Sequence, residues 1–323
     1  MTVPVQLPPP PVVDDGLTYE RLHRLGRPGW WRPVVGVVAL VVLVLLLQTV
    51  ATVVVAVYLL LSGVGVDAAL DRLSGDPVTP SFLALVNVGW ALAIPAVWLV
   101  AYTLHRLRPG TVSSVGLRLR WGWFLACFGV AFVALFLTLV VSALLPSQGA
   151  GTEVSTELNE FTRTTRDFAL IVLLLTPLQA AGEEYAFRGY LTQAFGGLVR
   201  WRWVAVVVPA FIFALAHGLG QDLPIFFDRF AFGLVAGTLV ILTGGLEAGI
   251  AMHVLNNWLA FGIALAFGDM TSALNPTGGT WWSLPVTLTQ SLSFLGLTLL
   301  VARAMGVRST TDRPVLQRRN TRV

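Results

Sequence analysis

The sequence predicts an all-α, polytopic membrane protein of about eight transmembrane helices around an intramembrane polar cavity. Three observations predict it. Of 323 residues, 55% are hydrophobic and only 12% are charged, with a mean hydropathy of +0.76; soluble domains carry about 25% charged residues. Apolar runs near the ~20-residue length that spans a bilayer core recur along the chain. The basic residues, all of them arginine, gather in alternate connections between those runs.

Residues 1–33, opening VPVQLPPPPVVDDG, read as a disordered, proline-rich tail. The first apolar run, 34–62, is too long for a signal-peptide core, so no cleavable leader is expected. The second covers 82–104. The third, 121–146, holds the single cysteine, Cys127, which suits a small apolar side chain and neither a disulfide nor a thiolate metal site. The 147–167 connection is acidic and polar, either a solvated loop or a substrate lid. The fourth run, 168–191, ends in the charged stretch AGEEYAFRGYL. The fifth and sixth, 203–218 and 226–243, are short or interrupted by polar residues. Such irregular backbone is tolerated at membrane depth only where protein or a water cavity covers it. The seventh and eighth cover 247–267 and 281–305, and 306–323 is a basic tail.

With the N-terminus in the cytoplasm, eight spans put 16 of the 21 arginines on cytoplasmic flanks and 4 (Arg72, Arg163, Arg166 and Arg229) on the opposite ones. This split follows the positive-inside rule and places both termini in the cytoplasm, as in a bacterial plasma membrane. Trp30, Trp31, Trp121, Trp123, Trp201, Trp203, Trp281 and Trp282 mark segment starts, where interfacial anchors belong. The net charge of +4 reflects these flanks; no nucleic-acid site is indicated. The partners expected are the lipid bilayer and a peptide or protein at the membrane.

Arg188 is left inside a segment, with Glu183, Glu184, His217 and His253. Charges near the bilayer centre cost at least ~2.5–3.5 kcal/mol each, so five ionisable residues on three segments are expected to face one another or a wet cavity. His23 and His105 lie in basic flanks and are expected to be solvated, and Glu247, beside a Gly-Gly turn, to be interfacial. Glu184 and Arg188 are i,i+4 with the glutamate first, the favourable order for a helical ion pair. Glu183 points about 100° away and is the freer carboxylate. Phe213 and His217 repeat the one-turn spacing, as do His253 and Asn257. Glu183 suits a general base; the histidines could orient water, stabilise an oxyanion or bind a metal; Asn257 could donate to an oxyanion or hold two helices together. These are the parts of a hydrolysis without a covalent intermediate. There is no G-x-S-x-G elbow and no H-E-x-x-H helix.

EEYAFR (183–188), FALAH (213–217) and HVLNN (253–257) fit E-E-x-x-x-R, F-x-x-x-H and H-x-x-x-N in that order. On separate apolar segments they resemble the CPBP family of CAAX prenyl endopeptidases and bacteriocin-processing or self-immunity (Abi) proteins, over about residues 168–267. The resemblance implies an eight-helix fold and an intramembrane endopeptidase. Glu183 would activate water, Glu184 and Arg188 would support it, His217 and His253 would complete the site, and Asn257 would help hold the oxyanion. It leaves open a zinc ion on Glu183, His217 and His253, or a metal-free glutamate mechanism. On straight helices Glu183 and His253 sit nearer the cytoplasm than His217, so convergence requires a tilted or offset fifth segment and a cavity opening to the cytoplasm or the bilayer. Two other readings stand beside it: a transporter or proton relay, which predicts discontinuous helices and internal repeats, and a catalytically idle scaffold or immunity protein.

Overall fold

The computed structural model describes residues 16–145, 155, 157–218, 220–276 and 279–312. Among these the chain is helical, with no strand beyond isolated bridges. A 3₁₀ helix (Tyr19–Leu25) is followed by α1 (Trp31–Leu61), α2 (Val66–Ser74), α3 (Pro80–Ala91), α4 (Ala93–His105), α5 (Gly110–Ser113) and α6 (Trp121–Leu144). Next come α7 (Arg163–Leu174), α8 (Thr176–Glu184), a π-helix (Tyr185–Leu191), α9 (Thr192–Leu198) and α10 (Val204–Ala216). The chain continues through α11 (Leu223–Thr243), α12 (Glu247–Phe267), α13 (Met270–Leu274) and α14 (Ser283–Ala304).

Six of these are long and apolar enough to cross a membrane: α1, the α3–α4 pair over Pro80–His105, α6, α11, α12 and α14. This is an integral membrane protein. The fourth predicted segment is the interrupted run α7 to α9, and the fifth is the shorter apolar helix α10. Prolines explain two interruptions. Pro95 and Pro177 lack the N–H that would bond the carbonyl four residues back, and the helix breaks just before each, at Leu92 and Leu175. Large apolar side chains face outward along α1 (Val38, Val42, Leu45, Leu46) and α6 (Leu125, Phe132, Phe136), as lipid contact requires.

Helix α8 lies between α3 and α12, with α6, α11 and α14 packed beyond α12. Its approach to α3 depends on Gly182, where an added Cβ would lie 1.9 Å from the Trp90 carbonyl oxygen. Small residues are what let membrane helices meet backbone to backbone. The residue after Gly182 is Glu183, so this contact also fixes where that carboxylate starts.

Three expectations are corrected. His23 and His105 are buried, not solvated: their rings stack with centroids 4.2 Å apart, and His105 Nε2 lies 2.9 Å from the Tyr190 hydroxyl. The 3₁₀ helix, inside the stretch read as a tail, carries His23 and buries Tyr19, Leu22 and Leu25, while residues 1–15 and 313–323 lie outside the described residues. Glu247 is fully buried, not interfacial, because Arg120 clamps it through Nε–Oε1 at 2.8 Å and Nη2–Oε2 at 2.7 Å. Among the tryptophan anchors Trp123 is buried, whereas Trp30, Trp121, Trp201 and Trp281 are exposed. Most of 147–156 lies outside the described residues; beyond it, Asn159 Nδ2 donates to the Gly268 carbonyl at 2.8 Å, tying the end of that connection to α12.

Two outcomes follow. Gly182→Ala drives a methyl group into backbone that cannot yield, and should destabilise the detergent-solubilised protein by about 1–3 kcal/mol. Gly122→Ala, with nothing within 4 Å of its added Cβ, should leave the thermal midpoint in place. Burial also holds the His23 pKa well below its ordinary value. The neutral ring therefore stabilises the fold above about pH 6.5, the unfolded value, and that contribution is lost as pH falls below it. Unfolding midpoints between pH 7.5 and 5 should drop, and less steeply in His23→Phe.

Candidate active site

Glu183 and Glu184 close α8, and Arg188 sits in the π-helix that follows. The backbone thus changes helix type within the charged motif, and π segments recur at functional sites. The ion pair forms nonetheless: Arg188 Nη1 lies 3.0 Å from Glu184 Oε1, both side chains at most 1% exposed. The guanidinium carbon also sits 3.9 Å from the Phe213 ring centroid and 5.5 Å from that of Phe232. Phe213 is therefore more than packing: a cation on an aromatic face gains energy most where water is excluded. Gly249 makes room for the other Glu184 oxygen, since a Cβ there would lie 2.6 Å from Oε2.

His253, on α12, joins both glutamates. Its Nδ1 is 3.0 Å from Glu184 Oε1 and its Nε2 is 3.6 Å from Glu183 Oε2. Glu184, already paired to a guanidinium, only accepts, so Nδ1 carries a proton, and Nε2 faces Glu183. His217 follows the same logic. Its Nδ1 lies 2.8 Å from the Phe213 carbonyl oxygen, which also only accepts, leaving Nε2 as the bare nitrogen. Both imidazoles flank the Phe213 ring, at 4.5 Å for His217 and 6.1 Å for His253 between centroids.

Glu183 is buried. Its Oε1 accepts from Gln179 Nε2 at 2.5 Å, and its Oε2 has no hydrogen-bond partner. Gln179 in turn accepts from Asn257 Nδ2 at 3.0 Å, so one amide positions two motif residues. A cavity of about 360 Å³ adjoins them, in the ordinary size range of ligand sites. Glu183, His217, His253 and Asn257 line it; Glu184 and Arg188 stand behind. Along α12 it runs from His253 to Phe261, about 12 Å at 1.5 Å per residue, away from the Glu247 end where the arginine-rich connections gather.

Sequence reasoning passed over Gln179 and other polar groups that line the cavity: Asp228, Arg229, Asn256, Thr287 and Gln290. Arg229 was counted with the flanks. The signal was present, because Asp228 and Arg229 fall inside the 226–243 run and a charge inside a span asks for a reason. For zinc, two imidazole nitrogens and a carboxylate are suitable donors. Among the described residues, however, no three His, Cys, Asp or Glu side chains converge as a ligand set. As placed, Glu183, His217 and His253 do not form one.

Buried carboxylates and imidazoles beside a cavity make an intramembrane polar site in a helical membrane protein. Comparison with known proteins finds a family match over part of the chain. Residues 165–259 match the model of the family described as type II CAAX prenyl endopeptidase Rce1-like. All six motif residues fall within this stretch, in agreement with the CAAX-protease resemblance. The chain is 25% identical over 240 residues to "Uncharacterized protein YyaK" of Bacillus subtilis (strain 168), covering 71% of this chain and 78% of that one. It is 26% identical over 146 residues to "Uncharacterized 24.3 kDa protein" of Escherichia coli, covering 45% and 63%. No solved structure matches.

The ion pair can be tested by a double-mutant cycle. Arg188→Met strands the Glu184 carboxylate without its cation and should cost about 3–5 kcal/mol in chemical unfolding. Adding Glu184→Gln should recover part of it, a coupling of roughly 1–3 kcal/mol. Additive single effects would mean that the pair does not act as one unit.

Proposed function

We propose that this protein is an intramembrane endopeptidase that hydrolyses a peptide bond of a membrane-associated peptide or protein, with Glu183 activating the attacking water. The observation that carries this reading is the state of Glu183. Its Oε2 is unpartnered beside the cavity, 3.6 Å from a histidine nitrogen whose tautomer a second glutamate sets.

In this mechanism a water donates one hydrogen to Glu183 Oε2 and the other to His253 Nε2, directing its lone pair at the scissile carbonyl carbon. Glu183 takes the proton as the C–O bond forms, then passes it to the amine as the C–N bond breaks. Asn257 gives one N–H to Gln179 and keeps the second for the oxyanion. Neutral His217 offers a lone pair rather than a donor, so it would hold water or substrate N–H groups, not the oxyanion. The arginine distribution supports cytoplasmic termini in a bacterial plasma membrane.

The helix breaks at Leu92 and Leu175 favour one other reading, a transporter or proton relay. It requires Glu183-dependent flux in proteoliposomes without cleavage. The deciding experiment is cleavage of a leader-peptide and prenyl-peptide library by the purified protein in detergent. Glu183→Gln should lower cleavage about 10²–10⁴-fold, the usual worth of a general base. Unchanged cleavage would sink the mechanism. Loss on chelation with rescue by zinc would reassign water activation to a metal.

A further inference from the structure

A second cavity, of about 280 Å³, lies at the arginine-rich end, apart from the one that Glu183 lines. Two stretches of chain line it: Val115 to Trp123, and Gly306 to Asp312 after α14. Both are held in place. Val115 N–H donates to the Gly244 carbonyl at 2.8 Å, Arg120 Nη1 to the Arg308 carbonyl at 3.0 Å, and Thr311 N–H to the Leu17 carbonyl at 3.0 Å. Three arginines, Arg118, Arg120 and Arg308, share the lining with one acid, Asp312. Their commitments differ. Arg120 is fixed on Glu247. Arg308 pairs with Asp312, but these side chains are 69% and 43% exposed, and an exposed pair contributes little and exchanges readily. Arg118 is exposed and makes no ion pair among the described residues. With Glu247 counted behind Arg120, three arginines stand against two acids, and one positive charge is left over. Trp123 adds a separate signal. It is 4% exposed, and its indole N–H, a donor only, is shielded from solvent without an acceptor. It stands in the first turn of α6, whose free N–H groups add positive potential at the same place.

We propose that this cavity binds the phosphate of an anionic phospholipid headgroup; the proposal does not depend on the peptidase reading. Arg118 and Arg308 hold the phosphate oxygens, for which the guanidinium fork is shaped. The Trp123 indole and the first turn of α6 supply the remaining positive potential. Charge selects the species. One positive charge in excess matches a phosphodiester, which carries a single negative charge, better than a phosphomonoester, which carries about two. Position selects the source. Trp121 opens α6 and Met305 follows α14, both exposed, as interfacial side chains are. One turn further into the span Leu125 on α6 and Leu300 on α14 face outward. A lipid headgroup at this level places its acyl chains beside such side chains, whereas a free phosphate gains nothing from them. A basic pocket where membrane helices pack together at an arginine-rich end suits a lipid headgroup.

Native mass spectrometry of the full-length protein in a neutral detergent tests this. The probes, added separately, are dioleoylphosphatidylglycerol, dioleoylphosphatidylcholine and inorganic phosphate. Phosphatidylglycerol should bind roughly 10–30-fold more tightly than phosphatidylcholine, since each arginine near an anionic headgroup is worth about 5-fold. Arg118→Gln and Arg308→Gln should each weaken phosphatidylglycerol about 5-fold, and the double variant should bring the two lipids level. Arg303→Gln removes the same charge from an exposed arginine of α14 outside the cavity and should leave the preference intact. Thermal unfolding gives a second reading: phosphatidylglycerol should raise the midpoint of the wild type by mass action, and less that of the double variant. Arg118 is exposed and without an ion pair among the described residues, so Arg118→Gln alone serves if the double variant fails to fold. Equal affinity for the two lipids, or no lipid bound, would overturn the proposal. So would a preference that survives Arg118→Gln and the double variant, or an equal loss in Arg303→Gln. Displacement of the lipid by excess inorganic phosphate would make this a site for a free anion and overturn it too.

Discussion

The structure turns on a single carboxylate. Glu184 accepts from Arg188 in the π-helix and from His253 on α12, and it is wholly buried. In a bilayer none of these groups can trade a missing partner for water, so the three must meet or the helices do not assemble. Much else follows from that closure. Gly249 has no side chain because Glu184 Oε2 occupies the space, and Phe213 lies under the guanidinium. The cost of burying a charge pair is usually not recovered against an apolar alternative. Its use here is better sought in what it positions, namely one tautomer of one imidazole.

The second buried pair makes the contrast. Arg120 grips Glu247 and also donates to the carbonyls of Thr243 and Arg308, each at 3.0 Å. It thereby joins the starts of α6 and α12 to the end of α11 and to the chain beyond α14. Neither member lines the cavity with Glu183, and no histidine depends on them. Two ion pairs in one membrane protein can thus have different work: one fastens the arginine-rich end, and the other sets the proton position on His253.

How much the sequence discloses follows from what each residue costs to misplace. Ionisable groups inside apolar runs are so expensive that Glu183, Glu184, Arg188, His217 and His253 announce themselves, and one-turn spacing gives their local pairing. Gln179 is an amide, cheap enough to sit almost anywhere, and only tertiary structure shows that it joins Glu183 to Asn257. His23 and His105 looked solvated because their sequence neighbours are basic; they are buried where the 3₁₀ helix that carries His23, remote from α4 in sequence, stacks the two rings together. Glu247 looked interfacial because its partner, Arg120, is far away along the chain. Arg229 was misplaced by the topology itself: once counted as a flank, it stopped looking like a charge that needed an explanation.

The depth of His217 was the one misfit on straight helices, and the fold resolves it locally. Helix α10 has 13 residues, about 20 Å, which is short of a bilayer core of ~30 Å. Side chains on a helix lean toward its N-terminus, and His217, at the C-terminal end of α10, does so strongly, with Nδ1 on the carbonyl of Phe213 one turn back. Its ring therefore lies over Phe213, the same ring that His253 approaches from α12. The chain then turns and re-enters as α11, which brings Arg229 to the same cavity. A helix too short to span is what permits this: a full crossing would carry the histidine past the level of His253, and the connection that returns Arg229 would lie outside the site.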